Sequence, residues 1–161
     1  MEILKLINTG SQELKNNNVN SYRIDSEILL AKILNKNREK LLINLDQKVK
    51  PHDVKKFNKM IARRSSKEPI AYILNEKEFW SKIFFVNKGA LIPRPETELM
   101  VEKIVNIFKK KNLYILDIGT GSGCILLSIL SELKNSKGIG VDISQKAIQI
   151  AIKNSIHHKL S

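Results

Sequence analysis

A chain of 161 residues, 42% of them hydrophobic, can bury one core or two small ones, and no apolar run approaches the roughly 20 residues of a membrane span. The start, Met1-Glu2-Ile3-Leu4-Lys5, is too broken by charge for a signal peptide, and the single cysteine, Cys124, excludes an internal disulfide and fits a reducing cytoplasm. The net charge of +12 invites an anionic partner, above all at Lys48 to Arg64, where seven Lys or Arg face one Asp. Lysine outnumbers arginine 23 to 5, however, as expected of A- and T-rich codons, so the lysines read as a solvated face and direct nucleic-acid binding is not expected.

Residues 1 to about 75 carry helical periodicity. Ile3, Leu4, Leu6, Ile7 and Leu14 mark one helix, with Gly10 as its weak point. Asp25 or Ser26 can cap a second, with Ile28, Leu29, Ile33 and Leu34 inward; a short turn follows at Leu41 to Ile43. Pro51 and Asp53 open a further helix that buries Val54, Phe57, Met60 and Ile61. This is a small helical bundle.

From 76 to 95 the pattern changes. Glu78-Phe79-Trp80 and Ile83-Phe84-Phe85-Val86, joined by Ser81-Lys82, fit a hairpin. Leu91-Ile92-Pro93-Arg94-Pro95 must be extended, because each proline pushes its predecessor out of the α region. Trp80 and the phenylalanines read as packing residues. Helical spacing resumes from Glu96 to Lys110, with acids suited to its start.

The chemistry lies in the last third. Ile115-Leu116-Asp117-Ile118-Gly119-Thr120-Gly121-Ser122-Gly123 is an apolar run, an acid and a glycine turn, opening into a helix from Cys124 to Lys134. A second strand, Gly138 to Val141, ends in Asp142, placed to grip a ribose; a helix follows near Gln145 to Asn154. Glycines let a ligand approach the backbone, and the N–H groups of the next helix favour an electron-rich partner. A dinucleotide fingerprint would need its third glycine at position 124, where Cys124 stands, and a phosphate-binding P-loop would need a lysine before Lys134. Asp-x-Gly-x-Gly-x-Gly followed by Val-Asp is instead the pattern of S-adenosylmethionine-dependent methyltransferases, whose ligand carries a sulfonium and no phosphate. Cys124 reads as a small core residue. His157 and His158 lack metal-ligand spacing and read as an exposed tail; no metal site is expected.

Arg63-Arg64 with Glu68-Pro69-Ile70-Ala71-Tyr72, Glu78-Phe79-Trp80, Leu91-Ile92-Pro93-Arg94-Pro95-Glu96-Thr97-Glu98, Asp117 to Gly123 and Val141-Asp142 follow in this order. Together they closely resemble the release factor glutamine methyltransferase family, which N5-methylates the glutamine of the Gly-Gly-Gln motif in class 1 peptide chain release factors. The resemblance implies an α/β chain: a helical release-factor-binding domain over 1–75, a hairpin and proline-rich linker over 76–95, and over 96–161 the first part of a class I, Rossmann-like methyltransferase domain with an incomplete sheet. It implies S-adenosylmethionine as cofactor, held by Gly119, Thr120, Gly121, Ser122 and Gly123 under its methionine and sugar portions. Asp142 would be at the ribose hydroxyls, Asp117 near the methionine end, and Arg94 in a loop bordering the active site. An amide nitrogen is a poor nucleophile, so positioning must supply much of the rate. The family does this with an Asn-Pro-Pro-Tyr loop, a tetrapeptide these residues do not contain, so no catalytic residue is assigned and the chain alone is expected to be an incomplete enzyme. Two other readings are a non-catalytic module docking on a release factor or ribosome, and a nucleotide-dependent oxidoreductase using the same turn.

Overall fold

The computed structural model describes residues 1–109 and 111–160 and divides into two compact units, Met1–Leu74 and a second beginning at Asn75. The first unit is helical: α1 (Ile3–Asn16), α2 (Tyr22–Ile33), α3 (Arg38–Ile43), α4 (Pro51–Ser65) and α5 (Ile70–Leu74). In α1 the buried positions Ile3, Leu6, Ile7, Gly10 and Leu14 keep one face inward, as the sequence pattern requires. They meet Leu29 and Leu30 of α2, Leu41 of α3 and Phe57 and Ile61 of α4 in one core.

Three expectations need correction here. Gly10 is no weak point: a Cβ there would lie 2.7 Å from Phe57 Cζ, 2.8 Å from Ser26 Oγ and 2.9 Å from Ile61 Cδ1, so the missing side chain lets three helices converge. The second helix begins at Tyr22, not at Asp25 or Ser26, because those two residues and Glu27 are buried within its first turns. Their polar groups are satisfied: Ser26 Oγ donates to the Ile7 carbonyl at 3.0 Å, and Arg64 Nε reaches Asp25 Oδ2 at 2.6 Å. Arg23 and Arg38 each meet Glu27 at 2.7 Å. Leu41 to Ile43 belong to a helix instead of a turn, since Asn37 Oδ1 caps it by accepting from Lys40 N–H at 3.0 Å.

The second unit opens with an antiparallel hairpin, β1 (Glu76–Phe79) and β2 (Lys82–Phe85), in which Phe79 pairs with Lys82. The two loop residues are therefore Trp80 and Ser81, one position earlier than expected, and both have φ of 52°. Such a turn is usually signalled by Asn-Gly, and nothing in Trp-Ser announces it. Here it is braced instead: Trp80 N–H donates to Glu98 Oε1 and its indole Nε1–H to Glu132 Oε1, both at 2.9 Å. The hairpin is not a linker, for Phe79 and Phe84 are buried in one cluster with Val101, Cys124 and Leu127.

After a non-regular stretch through Arg94, whose backbone is extended, a 3₁₀ turn (Pro95–Thr97) leads into α6 (Glu98–Phe108). Lys110, the expected end of this helix, and Ser161 lie outside the described residues. Then β3 (Tyr114–Ile118), α7 (Cys124–Glu132), β4 (Lys137–Val141) and α8 (Gln145–His157) form a βαβα unit, with β3 and β4 parallel and Leu116 opposite Ile139. One face of this two-stranded sheet is bare: Tyr114 is 89% exposed, Ile118 79% and Ile139 67%. Parallel strands are normally covered on both faces.

Arg64→Ala leaves the Asp25 carboxylate buried without its cation and is expected to lower the stability of the helical unit by about 3 kcal/mol in urea titration, as breaking a buried pair does. Amide exchange of the 161-residue chain should show slow α1, α2 and α4 and fast β3 and β4; uniform strong protection from Leu113 to Asn154 contradicts this.

Candidate methyl-donor site

The glycine turn sits where β3 and β4 end side by side. The Val141 carbonyl accepts two bonds, from Gly119 N–H at 2.8 Å and Thr120 N–H at 3.0 Å, so the turn hangs on the tip of the neighbouring strand. Asp142, the next residue, accepts from Gly121 N–H on Oδ2 at 2.9 Å and from Ser144 N–H on Oδ1 at 2.8 Å. These two backbone donors hold its carboxyl below the usual carboxylate range. Asp117 accepts from Thr120 Oγ1 at 2.8 Å. Gly123 N–H closes the turn on the Thr120 carbonyl at 2.8 Å and starts α7, which no side chain caps.

The five turn residues do not play one role. Gly119, Gly121 and Gly123 have φ of 78°, 57° and 78°, a region that L side chains rarely adopt. Around Gly119 nothing lies within 4 Å of a Cβ position, and around Gly121 only the Gly119 carbonyl at 3.9 Å, so both present bare backbone to open space. Gly123 is a packing position, since a Cβ there would stand 3.1 Å from Leu127 Cδ1 and 3.3 Å from Ala151 Cβ. Thr120 and Ser122 are buried, which leaves their side chains to the protein interior. Gly119, Gly121, Asp117 and Asp142 are the residues open to a ligand.

Within the turn itself, the N–H groups of Gly119, Thr120, Gly121 and Gly123 all donate within the protein, so a phosphate would find few donors among them. The N–H groups at the start of α7, which the sequence offers to an electron-rich partner, have no side-chain cap. What remains is room against two glycines, flanked by two carboxylates: an acceptor set suited to hydroxyls and a positive charge.

Two neighbours escaped the sequence reading. Asn154 is fully buried and binds both Phe85 and Ser122; the available signal was an amide on the inward stripe Ala147, Ile150, Asn154 of α8. His158 is not tail: its ring packs on Phe84 with centroids 4.7 Å apart, and burial with the nearby His157 charge pulls its pKa down despite the bond its ring donates to the Ile83 backbone. The helix runs on past Asn154 to His157, which brings both histidines against the hairpin, His157 edge-on to Phe85 at 5.1 Å. Burial pushes the Cys124 thiol up, in keeping with a packing residue. Among the described residues no group of three or more His, Cys, Asp or Glu could hold a metal, and no helix is long and apolar enough to cross a membrane.

Parallel strands joined through a glycine turn and a helix, with an acid at the tip of the second, open a Rossmann-like methyltransferase domain, and residues 109–161 match the family model described as a methyltransferase domain. Residues 5–74 match the PrmC N-terminal domain. A release factor glutamine methyltransferase of Leptospira interrogans is 41% identical over 96% of this chain and 54% of its own length. One of Buchnera aphidicola is 44% identical over 83% of the chain and 49% of its own length. A bifunctional methyltransferase of Rickettsia typhi is 35% identical over 99% of the chain and 34% of its own length. Over most of its length the chain is similar to release factor glutamine methyltransferases, and it spans about half or less of the length of these relatives.

Gly140 lies against the turn, with a Cβ position 2.7 Å from Thr120 Oγ1. Gly140→Val must push Thr120 off Asp117, and is expected to cost about 1–3 kcal/mol, as overpacking does, with faster exchange of the Gly119 and Thr120 amides in NMR.

Proposed function

We propose that this chain carries the methyl-donor-binding and release-factor-binding part of an S-adenosylmethionine-dependent protein (glutamine-N5) methyltransferase. Its target would be the glutamine of the Gly-Gly-Gln motif in class 1 peptide chain release factors, in the cytoplasm, without direct nucleic-acid binding. One observation carries the reading: a turn in which the N–H groups of Gly119, Thr120, Gly121 and Gly123 are internally bonded, with open backbone at Gly119 and Gly121 between the carboxylates of Asp117 and Asp142. That arrangement suits a ligand with a ribose and a positive charge, and argues against a pyrophosphate-bearing dinucleotide.

S-adenosylmethionine, when bound, supplies a methyl group activated by a positively charged sulfur. Each oxygen of Asp142 accepts one backbone bond, which leaves a lone pair on each for the ribose hydroxyls. Because those two N–H donors keep it ionised, Asp142 is an acceptor throughout the neutral range; it loses this role only as pH falls through its lowered pKa. Asp117, anchored by Thr120, would face the ammonium and sulfonium end. Gly119 and Gly121 would let the ligand lie on the backbone. Ser122, buried, would contribute through its backbone alone, and Thr120 and Gly123 by fixing the turn. No side chain here is assigned to the nitrogen that receives the methyl group. The helical unit would dock the release factor.

Calorimetry tests this. The chain is expected to bind S-adenosylmethionine and a class 1 release factor but neither NAD nor ATP, with Asp142→Asn weakening donor binding at least tenfold. Binding of NAD in preference to the methyl donor overturns the cofactor assignment, and a release factor that gives no heat removes the partner.

A further inference from the structure

Asn154 makes more of its side chain than any other polar residue near the glycine turn. Its Oδ1 accepts from Phe85 N–H at 2.7 Å, and its Nδ2 donates to the Phe85 carbonyl at 3.0 Å and to the Ser122 carbonyl at 2.8 Å. An amide has two N–H donors, so both find an acceptor, at a residue that is 0% exposed. Toward Phe85 it acts as a neighbouring strand would, taking the N–H and serving the carbonyl of one residue. Toward Ser122 it fixes the carbonyl that lies between Gly121 and Gly123, two residues whose positive φ leaves them free to turn otherwise. A side chain without donors would leave the buried Ser122 carbonyl and the part-buried Phe85 carbonyl without this partner.

We propose that Asn154 is a positioning residue for the methyl donor, holding the Gly119 to Gly123 turn in its open form and locking it to strand β2, so that hairpin and donor loop move as one piece. This rests on the reading of the turn as the donor site. Asn154 does not itself reach the open side of the turn; it acts through the Ser122–Gly123 peptide.

The test compares Asn154→Leu with Val101→Ala, a cavity at a fully buried position of α6 in the same unit, in the 161-residue chain. Relative to Val101→Ala at matched stability, Asn154→Leu should speed exchange of the Phe85 and Gly123 amides at least tenfold and weaken S-adenosylmethionine binding at least tenfold. Equal exchange in the two variants, or donor affinity within twofold of wild type, overturns the proposal. A wild-type chain that binds no donor defeats the donor-site reading instead, and the exchange comparison then decides the role of Asn154 alone. Should Asn154→Leu not fold, the wild type decides: its Asn154 side-chain amide protons must exchange far more slowly than those of exposed Asn58, and equal rates overturn the assignment.

Discussion

The second unit is organised around one carbonyl. Val141 ends β4 by accepting from both Gly119 and Thr120, and this pair of bonds carries the parallel ladder past the last strand residues into the turn. Without it the glycines would be free to turn in several ways, and the carboxylate of Asp142 would have no fixed partner in Gly121. Close approach makes this pair of hydrogen bonds feasible: Gly140 has no Cβ, so Thr120 can lie on β4 and reach back to Asp117. Glycine therefore acts in two opposite ways within a few residues. At 119 and 121 it leaves space open; at 123, 138 and 140 it lets the protein fill space, with Leu126 Cδ1 only 2.5 Å from where a Gly138 Cβ would stand.

The turn, the two acids and the first helix were legible in the sequence because each depends on local spacing. Three glycines two apart after an apolar run and an acid permit a positive-φ turn, and Ile3, Leu6, Ile7 and Leu14 share a helix face in any tertiary setting. What was not legible depends on partners remote in sequence. Gly10 looks like a defect until Phe57 and Ile61 arrive, and Asp25 looks like a cap until Arg64, 39 residues on, makes it a buried anion. Trp80 in a left-handed turn contradicts its own propensity and is held by Glu98 and Glu132. The bonding of the turn's own N–H groups is likewise invisible in the sequence, because Gly119 and Thr120 donate to Val141 and Gly121 to Asp142, at the end of the neighbouring strand.

The two units differ in how completely they satisfy themselves. The helical unit closes a core of Ile3, Leu6, Leu29, Leu30, Phe57 and their neighbours, and neutralises its interior acids with arginines from other helices or turns. Burial alone would raise the Glu27 carboxyl, yet the bonds and charges of Arg23 and Arg38 outweigh it and keep the pKa low, so this contribution is present above the ordinary carboxyl range and fades as acid titrates it. The sheet of the second unit instead shows Tyr114, Leu116, Ile118 and Ile139 to water on one side, while α7 covers the other with Leu126, Leu127 and Ile129. Stability is thus concentrated at one end of the chain and the ligand chemistry at the other.

Trp80 is the only tryptophan in the chain, and it stands at the bend of the hairpin with its indole on Glu132. Nature has in effect placed a tryptophan probe in one unit and none in the other. Its emission reports the joint between hairpin, α6 and α7, whereas far-ultraviolet dichroism sums over the helices of both units, so the two signals need not change together.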